Sequence, residues 1–156
     1  MDIAYNAKVQ RPSVCNALDT LLVHTEAAAD YLPLIARAWL DADVEIHADD
    51  SAMSILAPLE EHRILPAVDD DWGREFLSLT AAVKVVDSLD GALEHIERYG
   101  SGHSEAILTE DYTAAMRFLD DVDAAVVLVN ASTRFTDGAV FGLGAEVAIS
   151  TNKMHA

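Results

Sequence analysis

The sequence has 156 residues, 51% of them hydrophobic, which predicts a single domain with its own core and argues against disorder. Ten Lys and Arg residues against 27 Asp and Glu residues give a formal net charge of −17, which disfavours binding to nucleic acids or anionic membrane surfaces. The apolar runs are shorter than the ~20 residues of a membrane helix, and the N-terminus has no signal-peptide block. We therefore expect a soluble protein of the cytoplasm.

The first half of the chain predicts two strand–helix units. Thr20–Val23 is a short apolar strand, and a helix with apolar residues at helical spacing follows from Thr25. Alternation of apolar and polar residues predicts a second strand over Asp43–His47, and the acidic run that begins at Asp49 caps a second helix. The irregular stretch Glu60–Trp72 is predicted to be a connecting loop.

The second half predicts a strand over Ala81–Val86, a helix capped by Asp87 and Ser88 that ends at Gly100, and a strand over Ala106–Leu108. A helix capped by Thr109–Asp111 and a strand over Ala124–Val129 follow. Continuous apolar strands separated by helices are typical of parallel sheets that are covered on both faces. The predicted fold is therefore α/β, with an open, mostly parallel sheet and helices on both faces.

The segment around Cys15 is the first candidate for chemistry. Pro12 and Ser13 predict a helix start, which would place Cys15 in the first turn, where the helix dipole lowers the pKa of a thiol. Lys8 and Arg11 would act in the same direction. Alternatively, Cys15 is a buried structural residue. As the only cysteine it excludes an internal disulfide and zinc sites built from two or four cysteines, and we predict no metal site.

A second segment, Tyr99–Glu105, contains two glycines and two serines around His103, between a predicted helix and a predicted strand. Glycines permit an unusual backbone path there, and His103 could donate a hydrogen bond or shuttle a proton. The alternative is that His103 is an ordinary solvated loop histidine.

A third segment directly follows the predicted strand Ala124–Val129. Ligands of open parallel sheets bind beyond the carboxyl ends of the strands. Amide, hydroxyl and guanidinium groups that suit a carboxylate or phosphate occur there in five residues, although an ordinary polar turn is the alternative. These residues are Asn130, Ser132, Thr133 and Arg134.

The basic residues are unevenly distributed along this acidic chain. Lys8, Arg11, Arg134 and Lys153 lie in or beside the first and third segments. We therefore expect a local positive site for a small anionic substrate, to which Arg11 and Arg134 contribute.

Three long strings in these regions resemble gamma-glutamyl phosphate reductase, also called glutamate-5-semialdehyde dehydrogenase, a family of the aldehyde dehydrogenase superfamily. They are NAKVQRPSVCNALDTLLVH, DWGREFLSLTAAVKVVDSLDGALEHIERYGSGHSEAILTEDY and VNASTRFTDGAVFGLGAEVAISTNKMHA, and together they span most of the chain. The resemblance implies the aldehyde dehydrogenase catalytic-domain fold. It also implies NADPH-dependent reduction of L-glutamyl 5-phosphate to glutamate 5-semialdehyde in proline biosynthesis.

The resemblance also implies roles for individual residues. Cys15 occupies the position of the family's nucleophile, which displaces phosphate and forms a thioester that hydride reduces. Asn130, Ser132, Thr133 and Arg134 match the family's substrate loop, and His103 is expected to help position the acyl phosphate. Trp72 resembles an aromatic residue of other aldehyde dehydrogenases. In those enzymes an acidic residue just before it contacts the nicotinamide ribose, and the resemblance assigns that position to Asp70.

Family members are more than twice as long as this chain. We therefore expect residues 1–156 to form the catalytic domain, with the nucleotide-binding domain largely absent, and to be inactive alone. The full-length enzyme is expected to be a homo-oligomer. Two other functions stay open: a cysteine acyl hydrolase that pairs Cys15 with His103 or His24, and a non-catalytic assembly or regulatory domain with an inert Cys15.

Overall fold

The computed structural model describes residues 1–140, 142–144 and 151. The helices are α1 (Asp2–Val9), α2 (Thr25–Asp41), α3 (Asp50–Leu56), α4 (Leu89–Tyr99) and α5 (Tyr112–Asp121), and the strands are β1 (Thr20–His24), β2 (Glu45–Ala48), β3 (Ile64–Pro66), β4 (Thr80–Val86), β5 (Ser104–Ile107) and β6 (Val126–Val129). None of the helices in these residues combines the length and the apolar character needed to cross a membrane.

All of these strands pair in parallel, which confirms the predicted sheet type. Four of them form one sheet in the order β1-β4-β2-β3, and β5 and β6 form a second, two-stranded ladder. In the larger sheet Leu21 lies opposite Val83, and Ile46 lies opposite Ala81. In the smaller ladder Ser104 lies opposite Val126. Because the ladders are parallel, the carboxyl ends of paired strands lie at the same edge.

The central strand β4 shows that helices cover both faces of the larger sheet. Val83 points into the main core, where it joins Leu32 and Trp39 of α2. Alternate residues of a strand point to opposite faces, so Lys84 points away from that core. Its ammonium lies 5.4 Å from the ring centre of Trp72, which in turn packs edge-on against His95 of α4. Predicted helices on both faces are therefore confirmed.

Local sequence signals correctly predicted where α3, α4 and α5 begin. Asp49 caps α3 by accepting a hydrogen bond from the Ala52 N–H at 2.8 Å, and Ser88 caps α4 through the Gly91 N–H at 3.1 Å. Asp111 caps α5 in the same way. These interactions involve residues within four positions of each other, so a sequence pattern is enough to predict them.

The prediction of an irregular loop over Glu60–Trp72 was wrong in part, because this stretch contains β3 and a 3-10 turn over Asp69–Asp71. On the side away from β4, the backbone of β2 pairs with this stretch and makes it a strand. The Ile46 N–H donates to the Arg63 carbonyl, and the Ala48 carbonyl accepts from the Ala67 N–H. Pro66 is tolerated because it ends an edge strand, where its missing N–H costs no ladder bond.

The predicted helix start at Pro12 was also wrong. The helix of this region is α1, which precedes Pro12, and residues 11–17 form turns. Long-range bonds override the local signal: the Leu18 N–H donates to the Ala7 carbonyl at 2.9 Å, and the Lys8 ammonium donates to the Leu18 carbonyl at 2.7 Å. The chain therefore folds back along α1.

Candidate functional site

Cys15 lies in the turn that links α1 to β1, and its side chain is exposed. The turn is closed by a hydrogen bond from the Ala17 N–H to the Val14 carbonyl at 2.9 Å. Since no helix begins at Cys15, the thiol does not lie in the first turn of a helix as predicted. The exposed position excludes the alternative of a buried structural cysteine and leaves the sulfur open to a reagent or substrate.

Asn16, the residue after the cysteine, joins this turn to the third segment. Its side-chain oxygen accepts a hydrogen bond from the Arg134 guanidinium, and its amide donates to the Thr136 hydroxyl at 2.9 Å. Its backbone carbonyl also accepts from the Thr133 hydroxyl at 2.7 Å. The structure thus brings the first and third segments together, although 118 positions separate Asn16 from Arg134.

Arg134 is the main electrostatic feature of this junction. It lies in a 3-10 turn over Thr133–Thr136, which Ser132 caps by accepting a bond from the Arg134 N–H at 3.3 Å. The residue is only 7% exposed, and its buried Nε has no hydrogen-bond partner among the residues that the structure describes. Within the described ranges it forms no ion pair. A buried guanidinium without a counter-charge is costly, so an anionic ligand would stabilise this position.

The other basic residues of the predicted positive site are placed differently. Lys8 is buried, and its ammonium lies 3.8 Å from Asp19, so it is engaged in the fold rather than directed at the thiol. Burial lowers the pKa of Lys8 to about 8, against the opposing effect of Asp19. Arg11 is exposed at the start of the turn. Lys153 lies outside the described residues.

Asp19 follows the turn and accepts hydrogen bonds that fix its position. Its carboxylate accepts a hydrogen bond from the Phe76 N–H at 3.1 Å, and its carbonyl accepts from the Ala82 N–H at 2.9 Å. Burial raises the pKa of Asp19, although the Phe76 bond and the charge of Lys8 oppose this effect. Sequence reasoning missed Asn16, Asp19 and Thr136, and adjacency to Cys15 was the only signal that could have identified Asn16.

Asn130 has a structural role at the carboxyl end of the smaller ladder. Its side-chain oxygen accepts from the Thr109 N–H at 2.9 Å, and its amide donates to the Thr109 carbonyl at 2.8 Å. These two bonds tie the segment after β6 to the segment after β5. They engage both ends of the amide, so a substrate contact from Asn130 stays a prediction without geometric support.

His103 lies at the other end of the same ladder, directly before β5. Its ring is buried, and Nδ1 lies 2.7 Å from the Ser104 hydroxyl. Its Nε2 has no hydrogen-bond partner in the described part of the chain. His24 bonds to the Asp87 carbonyl at 3.0 Å and caps α2. Neither imidazole bonds to the turn of Cys15, so the geometry does not favour a cysteine–histidine hydrolase.

The two predicted cofactor contacts lie on and directly after the 3-10 turn over Asp69–Asp71. Asp70 is exposed on the 3-10 turn before Trp72, and the Trp72 ring packs at 5.4 Å against His95. The buried carboxylate of this turn belongs to Asp71, which bonds to His47 at 2.8 Å. A nicotinamide contact from Asp70 and Trp72 therefore stays a prediction.

Comparison with known proteins gives one consistent result. The chain matches no protein-family model. It is 65% identical over 156 residues to the gamma-glutamyl phosphate reductase of Dehalococcoides mccartyi (strain ATCC BAA-2266 / KCTC 15142 / 195), a match that covers all of this chain and 37% of that protein. The chain thus spans little more than a third of the length of the curated relatives that it matches.

Solved structures show the same relationship. The crystal structure of gamma-glutamyl phosphate reductase from Thermotoga maritima superposes with a TM-score of 0.92 at 47% identity, over 99% of this chain and 36% of that chain. A propionaldehyde dehydrogenase from Clostridium phytofermentans shares the fold alone, with a TM-score of 0.57 at 13% identity, over 93% of this chain and 40% of that chain. By sequence and by fold, this chain is therefore similar to one segment, little more than a third, of the gamma-glutamyl phosphate reductases.

Proposed function

We propose that this chain is the cysteine-bearing catalytic domain of a gamma-glutamyl phosphate reductase and that residues 1–156 act as one unit. The reaction would be the reduction of L-glutamyl 5-phosphate to glutamate 5-semialdehyde in proline biosynthesis. One observation carries the proposal: the buried Arg134, which forms no ion pair in the described part of the chain, is tied through Asn16 to the turn of the exposed Cys15. A nucleophile and an anion site therefore lie on adjoining segments.

The first half of the reaction follows from this arrangement. The Cys15 thiolate attacks the acyl carbon, a carbon–sulfur bond forms, and the carbon–oxygen bond to phosphate breaks with its electron pair on the departing phosphate. Arg134 would stabilise the negative charge of the phosphoryl group before and after this step, because a guanidinium binds phosphate oxygens through charge-assisted hydrogen bonds. Ser132 and Thr133 would act by holding the turn that carries Arg134.

The second half of the reaction is reduction of the thioester. NADPH, when bound, supplies the hydride for such a step. A nicotinamide contact from Asp70 and Trp72 stays a prediction, and we assign no step of the reaction to these two residues. We therefore propose that the chain alone acylates Cys15 but does not turn over, and oxidation of NADPH at the rate of a full-length relative would refute this.

The proposal extends to the setting of the protein. A biosynthetic reductase of a small anionic substrate would act in the cytoplasm without a nucleic-acid or membrane partner. The full-length enzyme would be a homo-oligomer, which size-exclusion chromatography with light scattering would test on a full-length relative.

Acylation of the single cysteine tests the central step. Incubation of the chain with acetyl phosphate should add one acetyl group, which hydroxylamine removes and which Cys15→Ser abolishes. Arg134→Met should slow acylation by about 10- to 100-fold, the factor that corresponds to a charge-assisted bond of about 1.5–3 kcal/mol. Arg37→Met removes the same charge from an exposed site on α2 and should leave the rate unchanged. Intact-protein mass spectrometry measures the rate, and equal rates for the two arginine variants would contradict the proposal.

A further inference from the structure

The hydrogen bonds around Asn16 determine which end of its amide faces Arg134. The Thr136 hydroxyl donates its proton to the Thr133 carbonyl at 3.1 Å, so toward Asn16 it can only accept. The Asn16 nitrogen must therefore point to Thr136, and the Asn16 oxygen must point to the Arg134 guanidinium. Three hydrogen bonds thus run in one consistent direction, from Arg134 through Asn16 and Thr136 to the Thr133 carbonyl.

This arrangement restrains Arg134 without neutralising it. An aspartate at position 16 would meet the same guanidinium with a similar side-chain shape, but it would form a buried ion pair. The chain has 27 acidic residues, yet within the described ranges none forms an ion pair with Arg134. The nearby acid Asp19 instead pairs with Lys8. A neutral acceptor therefore occupies the place where a carboxylate would cancel the charge.

We propose that Asn16 is a positioning residue that holds Arg134 in place while leaving its positive charge free for an anionic ligand beside Cys15. The inference rests on the proposed function, because the ligand class is the phosphoryl group of an acyl phosphate. The charge-neutral character of Asn16 then sets the preference of the site for an anion. A residue with only a structural role would serve equally well, or better, as an aspartate.

Two substitutions distinguish a positioning role from a structural role, because the expected order of the two variants in stability is the reverse of their expected order in phosphate protection. Asn16→Asp keeps a hydrogen bond to Arg134 but adds a counter-charge, whereas Asn16→Ala removes the bond and leaves the charge. The measurement is the concentration of inorganic phosphate that halves the rate of Cys15 alkylation by iodoacetamide, with urea unfolding as the stability readout. We expect Asn16→Asp to be at least as stable as the wild type and to need about tenfold more phosphate, the factor equal to about 1.4 kcal/mol.

Asn16→Ala is expected to be less stable but to need less phosphate than Asn16→Asp, since no carboxylate at position 16 offsets the charge of its guanidinium. Wild-type protection by phosphate in Asn16→Asp, or weaker protection in Asn16→Ala than in Asn16→Asp, would overturn the inference. If Asn16→Asp does not fold, Asn16→Ala decides the question, because an unchanged protection constant would show that Asn16 does not position Arg134.

The outcome also distinguishes this inference from the proposed function. If phosphate fails to protect Cys15 in the wild type and acetyl phosphate fails to acylate it, the proposed function fails and the inference falls with it. If the wild type is protected and acylated but Asn16→Asp behaves in the same way, only the inference about Asn16 fails. A pH series of the alkylation rate adds an independent readout, since a carboxylate one residue from Cys15 disfavours the thiolate and should move the profile to higher pH.

Discussion

The pair formed by His47 and Asp71 should make the stability of this protein depend on pH in a defined window. The Asp71 carboxylate accepts from His47 at 2.8 Å and from the Val68 N–H at 2.9 Å. Burial disfavours the charged imidazole, but hydrogen bonds and charge from Glu45 and Asp71 outweigh it and raise the pKa of His47 above 6.5. Burial likewise opposes ionisation of Asp71, but the Val68 and His47 bonds lower its pKa below 3.8.

The signs of these shifts define the window. The raised pKa of His47 gives stability that is complete below its unfolded value of 6.5 and is lost as the pH rises through the folded pKa. The lowered pKa of Asp71 gives stability that is present above 3.8 and is lost as the pH falls through the folded pKa. The pair therefore contributes most between pH 3.8 and 6.5.

Asp71→Asn should cost about 1–2 kcal/mol inside this window, the difference between charge-assisted and neutral hydrogen bonds at a buried carboxylate. With a urea dependence of about 2 kcal/mol per molar, the unfolding midpoint should fall by about 0.5–1 M. Glu45→Gln is the matched control, because Glu45 bonds to the other nitrogen of the same ring at 2.9 Å but is 43% exposed, against 2% for Asp71.

The control should cost about 0.5 kcal/mol or less, as exposed pairs do. Urea unfolding of the wild type and both variants, followed by tryptophan fluorescence across the pH range, measures these values. A loss for Asp71→Asn that does not change with pH would refute the reasoning, and so would a larger loss for Glu45→Gln than for Asp71→Asn.

Two further changes test local features of the fold. Gly73→Ala should cost about 1–3 kcal/mol in a thermal melt, because Gly73 has a φ of +78° and an added Cβ would lie 2.9 Å from the Tyr99 carbonyl oxygen. Gly102 has a similar φ of +71°, but a Cβ added there would meet no described atom within 4 Å. Gly102→Ala should therefore cost less than Gly73→Ala, and equal losses would contradict the steric argument. The pKa of Lys8 falls from 10.5 to about 8 on burial, so wild-type stability should gain from Lys8 as the pH rises between these values. Lys8→Met should remove that gain in urea unfolding, and an unchanged pH slope would show that Lys8 is not its source.

Most of the secondary structure could be predicted because its signals are local. Ser88 caps α4 through a residue three positions away, and β4 is a run of β-branched and small residues that is typical of a strand in a parallel sheet. The same locality caused the error at Pro12. Proline and serine are typical of a helix start, but the contacts of Leu18 with Ala7 and Lys8 direct the chain into turns instead.

The candidate site also has features that local sequence could predict and features that depend on the fold. Exposure of Cys15 and burial of Arg134 could not be read from their neighbours in sequence, and both depend on where α1 and the segment after β6 meet. Asn130 was predicted to contact the substrate because of its residue type, yet its side-chain amide bonds to the backbone N–H and carbonyl of Thr109. Residue type shows what a side chain can bond to, and only the fold determines which partner it finds.

The amino-acid sequence alone determined the single cysteine and the net charge of −17, because both are properties of composition. It also predicted the parallel α/β architecture, because the periodicity of apolar residues depends only on neighbouring positions. Only the tertiary structure decided that Asn16 joins Arg134 and Thr136. Hydrogen bonds between groups some 120 positions apart in sequence leave no periodic signal, because their geometry depends on the path of every element between them.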